Sequence, residues 1–269
     1  MTEMVDITLI QYLLAIISGI AVGFSLGLIG GGGSILAVPL FIYFVGINHP
    51  HLAIGTTALA VGLTSFINFY QHFKRKNVNF RIAPVFAFVG GAGVLLGAFV
   101  GLTIKGGELL FFFSLLMIVI GIFMYTSKCR LLPDEGSRDN AKKTNYPKVS
   151  AFGILVGFAS GFFGIGGGFL IVPALLSSSK IKIGMAIGTS LFAVGTFGIV
   201  TSMEYSLSGQ VLYLVAIVYV IGGIIGGFFG TKLSVGMNKK LLRKIFALIV
   251  VAVGIYVAIS SYPALIHVL

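Results

Sequence analysis

Charge is what this sequence has least of. Only 9% of its 269 residues are charged and seven are acidic, while the mean hydropathy is +1.08. A soluble domain of this length needs a charged surface to stay dissolved, and the residues to build one are missing. Cysteine is nearly absent too. Cys129 stands alone, which excludes a disulfide and a thiolate metal cluster and leaves an ordinary free thiol. The opening MTEMVD carries Glu3 and Asp6 but no Lys or Arg, so a cleavable secretory signal is not expected. Strict apolar/polar alternation is lacking, which argues against a β-barrel. No Lys follows the glycine-rich GIGGGF at 164–169 as a P-loop requires. Nor is there a Ser-His-Asp set or a paired-carboxylate site. The chain is therefore expected not to be an enzyme and to need no cofactor.

What is present is apolar sequence in long runs. Ten segments stand out, at 9–29, 34–46, 52–73, 82–104, 109–127, 149–166, 168–178, 183–203, 209–232 and 245–262. Most approach the length of about 20 residues that crosses a bilayer as a helix. The expected fold is an all-α integral membrane protein. Segments 34–46 and 168–178 are too short to cross about 30 Å at about 1.5 Å per residue, and each follows a glycine cluster. They read as half-helices that start inside the membrane, whether they span or re-enter. The polar stretch 133–148 reads as a linker between halves.

The halves repeat. GFSLGLIGGGGSILAVP at 23–39 matches GFASGFFGIGGGFLIVP at 157–173 at a constant offset of 134. IGTT at 54–57 then matches IGTS at 187–190, and Gly93, Gly97 and Gly101 match Gly222, Gly226 and Gly230. The expected organisation is an N-terminal repeat at 1–128, a cytoplasmic linker at 129–148 and a C-terminal repeat at 149–269.

A net charge of +11 invites a nucleic-acid partner, but the basic residues all lie in short loops or at segment ends. They cluster at Lys74, Arg75, Lys76 and Arg81, at 128–148, at Lys180 and Lys182, and at 232–244. Threading from an outside N-terminus leaves only Lys105 outside, as the positive-inside tendency favours. Both termini are then outside a bacterial-type inner membrane. Each half holds an odd number of segments, so the second enters from the opposite face. Two inverted-topology repeats of about five helical segments each are a known construction of secondary transporters, whose substrate lies near the midplane.

Three constellations bear on chemistry. The glycine clusters Gly30, Gly31, Gly32, Gly33 with Ser34, and Gly164, Gly166, Gly167, Gly168, let backbone approach a ligand, and a helix starting there aims N–H groups and a positive dipole end at it. An anion so held needs no basic side chain. Hydroxyls form the second: Thr56 and Thr57, matched by Thr189 and Ser190, with Ser25 and Ser160 near the clusters and the amide of Asn68 further along. They can donate to an oxyanion, or bond back to their own helices. Third, no Asp, Glu, Lys or Arg lies mid-span; Glu108 and Glu204 read as loop residues. Proton relays commonly use such carboxylates, so a passive or weakly coupled pathway stands beside a strongly coupled one. His72 reads as interfacial, and His49 and His51 as a plain loop rather than a metal site. The glycines spaced by four (Gly19, Gly23, Gly27 and Gly153, Gly157, Gly161, with the Gly93 and Gly222 series) read as helix-packing stripes. Pro39 and Pro173 read as shaping the half-helix entries.

The duplicated glycine–proline stretches, followed by IGTT and IGTS, resemble the TauE/SafE sulfite exporter family, also called the toluene sulfonate uptake permease family. The resemblance runs through nearly the whole chain. It implies export of small sulfur-containing anions such as sulfite, sulfonates or sulfoacetate. The alternatives are a permease for another small anion, or a non-transport membrane scaffold or enzyme subunit. The expected partners are a small anionic substrate and the lipid bilayer, with no nucleic acid; a homodimer is compatible with the sequence.

Overall fold

The computed structural model describes residues 7–126, 145–179, 181, 183–233 and 239–266. Cys129, most of the linker, Lys180 and Lys182 lie outside the described residues. Within them the chain is helical, in ten elements. α1 (Leu9–Ile29) opens with a capping box in which Thr8 accepts from the Gln11 amide and Gln11 returns the bond. The short α2 (31–44) starts as a tight 3-10 turn over Gly31–Leu36 and widens to π geometry over Leu40–Phe44. Pro39 sits where it widens: proline removes one backbone donor, and the Val45 amide reaches five residues back to the Leu40 carbonyl. α3 (Pro50–Lys74), α4 (Ala83–Thr103) and α5 (Gly106–Thr126) complete the first half. α6 (Tyr146–Phe163), α7 (Gly168–Ser179), α8 (Ile183–Leu207), α9 (Tyr213–Leu233) and α10 (Lys239–Ile266) form the second.

The helix ends correct several boundaries. α3 stops where Lys76 takes φ 57° and the Asn77 amide bonds back to the His72 carbonyl. α8 ends the same way at Gly209, with the Gln210 amide on the Tyr205 carbonyl. α8 therefore runs past 203, and Glu204 belongs to its last turn instead of a loop; Glu108 lies in the first turn of α5. The second half-helix is preceded by a break at 164–167, so α6 ends at Phe163 and not at 166. The last linker residues are helical, because Asn145 caps α6 by accepting from the Lys148 amide.

Among the described residues eight helices are long and apolar enough to cross a membrane; α2 and α7 are the short ones. α3 and α8 are 72% and 61% buried over their apolar windows, against 33% for α6 and α10, so they form the centre. They cross antiparallel at Gly62 and Gly198. α1 packs on α9 and α4 on α6, each pair through facing glycines. A Cβ on Gly19 or Gly23 would overlap the Tyr219 or Gly223 carbonyl, and one on Gly27 would lie 2.5 Å from the Gly227 oxygen. Because the paired numbers rise together, α1 and α9 run parallel. Gly93, Gly97 and Gly101 meet Ile154, Phe158 and Phe162 of α6 in the same sense. In a bilayer, helices gain little from hiding apolar surface from each other, so this close backbone approach is what binds them. The packing role expected of the spaced glycines holds. Large apolar side chains such as Phe88, Leu96 and Phe99 on α4, and Phe228 and Phe229 on α9, cover the outside.

Candidate functional site

Each glycine cluster docks against the duplicated IGT turn of the opposite half. α1 gives way at Gly30, φ 80°, where a Cβ would lie 3.0 Å from Ile187 Cγ2 and 3.2 Å from the Ser190 hydroxyl. α6 gives way at Gly164, φ 67°, against Ile54 at the start of α3. Chain continues inward from both points. Gly166, at φ 65°, sits between Val194 and Val61, beside the crossing of the two central helices. Gly167, at φ 62°, lies over Ser160. A left-handed backbone here is cheap for glycine and costs other residues about 1–2 kcal/mol, which explains the residue type. Gly33 folds back over Ser25 and Leu26. The two restarting segments, 31–36 and α7, pack against each other.

This arrangement brings two helix starts together beside the crossing of α3 and α8. The first amides of α7 precede its internal bonds, which begin with Leu170 and Ile171 donating to the Gly167 carbonyl. Helix starts of this kind present N–H groups and a positive dipole end. No Asp, Glu, Lys or Arg is among the buried side chains of the described residues. No group of three or more potential metal ligands occurs among them either.

The predicted hydroxyls divide. Thr56 Oγ1 accepts from the Leu212 amide at 2.9 Å, and Thr189 Oγ1 accepts from the Asn79 amide at 3.0 Å. In each half, then, the same threonine ties a central helix to the approach of a neighbouring one, and retains its own proton to donate. Thr57 donates back to the Ala53 carbonyl at 2.7 Å and Ser190 to the Ile187 carbonyl at 2.8 Å. Ser190 remains beside Gly30, and Ser34 is fully buried. Asn68 is away from the clusters, against Gly227 of α9. Replacing Thr56 or Thr189 by valine keeps the shape but strands a backbone donor, at a cost of about 1–3 kcal/mol. Each variant is expected to lower the thermal midpoint in detergent by several degrees, as read by loss of the monodisperse peak after heating. Thr57→Val is expected to shift it less.

Other polar groups carried a weaker sequence signal. Ser160 is buried without a partner beneath Gly167. His72, two residues from the end of α3, is 4% exposed, with Gly188 of α8 close against its Cβ and the Gly27 backbone of α1 facing its ring. The spacing Thr64, Asn68, His72 was the available clue, since residues four apart share a helix face.

Comparison with known proteins adds the following. The family described as "Sulfite exporter TauE/SafE" matches residues 15–257. A "Probable membrane transporter protein" of Xylella fastidiosa (strain 9a5c) is 44% identical over 96% of this chain and 99% of its own. The "Probable membrane transporter protein YunE" of Bacillus subtilis (strain 168) is 27% identical over 91% of this chain and 96% of its own. No solved structure matches significantly.

Proposed function

The chain belongs to the sulfite exporter TauE/SafE family, and from that premise we propose that it exports small sulfur-containing anions such as sulfite, sulfonates or sulfoacetate, held where its two glycine-rich helix starts meet. The observation that carries the reading is the convergence of those starts beside the α3–α8 crossing, with no buried Lys or Arg among the described residues. Backbone amides and a dipole end suit an oxyanion and offer nothing to a cation. In this reading Ser190, beside Gly30, and Ser160, beneath Gly167, add hydroxyls to the cage, and Thr56, Thr57, Thr189 and Ser34 are its further candidates.

The two halves serve as inverted repeats about this site. Helix directions support that view: α1 runs with α9 and α4 with α6, while α3 opposes α8 and α5 opposes α10. Exchanging each helix for its counterpart in the other half maps these partnerships onto themselves. Alternating access then follows from rocking one half on the other. The inner-membrane placement, with outside termini, draws on charge. Arg75 bonds the Thr231 carbonyl and Lys244 lies over Tyr125, so the basic helix ends gather at one end of the bundle, away from Lys105.

Purified protein in liposomes, offered sulfite, an alkanesulfonate, sulfoacetate, nitrate and acetate in separate assays, tests the reading. Flux of at least one sulfur anion well above protein-free vesicles is expected. Movement of nitrate or acetate alone would replace the substrate class, and no flux of any anion would end the transport reading.

A further inference from the structure

Thr64, Asn68 and His72 lie on one face of α3, all buried. The threonine hydroxyl and both amide atoms of Asn68 lack a hydrogen-bond partner, and the His72 ring faces only the Gly27 backbone of α1. Buried polar atoms are rarely left so, and a run of them marks a place where something polar is accommodated in use. The row faces α9, with Thr64 at Gly223 and Asn68 at Gly227. It ends where Gly188 of α8 approaches His72, in the same turn that meets Gly30. His72 and the first glycine cluster thus flank one helix start.

Among the described residues, His72 is the buried side chain whose charge changes near neutral pH. The formal charge beside it is the Arg75 guanidinium, positive like an imidazolium. Lys74, Lys76, Arg81 and Lys232 are exposed at the same end. The last turn of α1 and the first turns of α8 carry no titratable side chain. The described carboxylates, Glu108 and Glu204, belong to the opposite end. A buried cation needs a counter-charge, and the protein supplies none here. An anion entering beside Gly30 does.

We propose that His72 takes up a proton together with the transported anion, making transport proton-coupled. This rests on the anion reading above. The proton comes from water at the basic end, sits on an imidazole nitrogen and leaves at the other end. The second half provides hydrogen-bonding groups for that exit. An offset of 133 carries Asn68 to Thr201 and His72 to Tyr205, whose hydroxyls are likewise buried and unpartnered. The Tyr205 ring lies 6.2 Å from that of His51, whose Nδ1 is unpartnered while its Nε2 is 3.0 Å from the Ile104 carbonyl. Lys105 and Glu108 are the charged groups on the loop and first turn that pack against Pro50 beside it.

The test loads liposomes with a pH dye and drives flux with ethanesulfonate, whose sulfonate holds no proton in the working range. Sulfite is run in parallel. Wild type is expected to move protons with the anion, and its flux should fall roughly tenfold per pH unit above the histidine range. His72→Gln, which keeps a hydrogen-bonding side chain but no titration, should lose proton movement and pH dependence while anion flux down a gradient persists. Proton uptake on ethanesulfonate or sulfite binding to wild type in weakly buffered detergent gives a readout that needs no variant. Anion flux without protons in wild type, or unchanged proton movement in His72→Gln, overturns the coupling and leaves the anion reading intact. Absence of all anion flux removes both.

Discussion

Gly97→Leu is expected to yield no monodisperse protein, while Gly91→Ala on the same helix folds like wild type. Gly97 belongs to the stripe of glycines spaced by four, and Gly91 lies outside it. In the structure a Cβ on Gly97 would overlap the Phe158 carbonyl of α6 and lie 2.8 Å from the Phe162 amide nitrogen, whereas one on Gly91 meets nothing within 4 Å. Backbone cannot swing aside as a side-chain tip can, so the whole of α4 must move off α6. Even one methyl of overpacking costs about 1–3 kcal/mol, and leucine adds three more carbons to the same gap. Separating α4 from α6 also breaks the neighbouring contacts at Gly93, Gly101, Gly157 and Gly161. Gly91→Ala gains up to about 1 kcal/mol of helix propensity. Yield and thermal midpoint in detergent check both. A well-folded Gly97→Leu would mean that the α4–α6 seam is not held by close approach.

How far the sequence reached depends on what kind of physics a feature obeys. Membrane helices, their number and the two short segments follow from run length against bilayer thickness, a local property. Spaced glycines announced packing because a period of four is a helical face. The end of α8 was misplaced because Glu204 looked like a boundary, whereas the Gly209 turn decides it through a bond from Gln210 to Tyr205. Thr56 and Thr189 were legible as a matched pair, but their partners, Leu212 and Asn79, are 156 and 110 residues away. The burial of His72 was out of reach for the same reason. It comes from Gly188 against its Cβ and the Gly27 backbone against its ring, on two other helices, and no window of sequence around position 72 contains them.

At the candidate site the largest effect is expected from one methyl. Gly166→Ala should leave folded protein and reduce anion flux at least tenfold. The new Cβ would lie 3.0 Å from Val194 Cγ1 and 3.6 Å from Val61 Cγ1, both ends of side chains that can yield by tenths of an ångström. Backbone strain at φ 65° adds about 1–2 kcal/mol. These costs are modest beside those at Gly97, so the fold survives. The methyl, however, stands between the two central helices where the restarting segments meet, and it holds the amides away from any solute. Strain and blockage separate in the double variant Gly166→Ala/Val194→Ala, which relieves the crowding but keeps the methyl. Its thermal midpoint should recover toward wild type while flux stays low. Recovery of flux together with stability would locate the defect in packing, and a Gly166→Ala protein transporting at half the wild-type rate or better would remove this glycine from the anion's path.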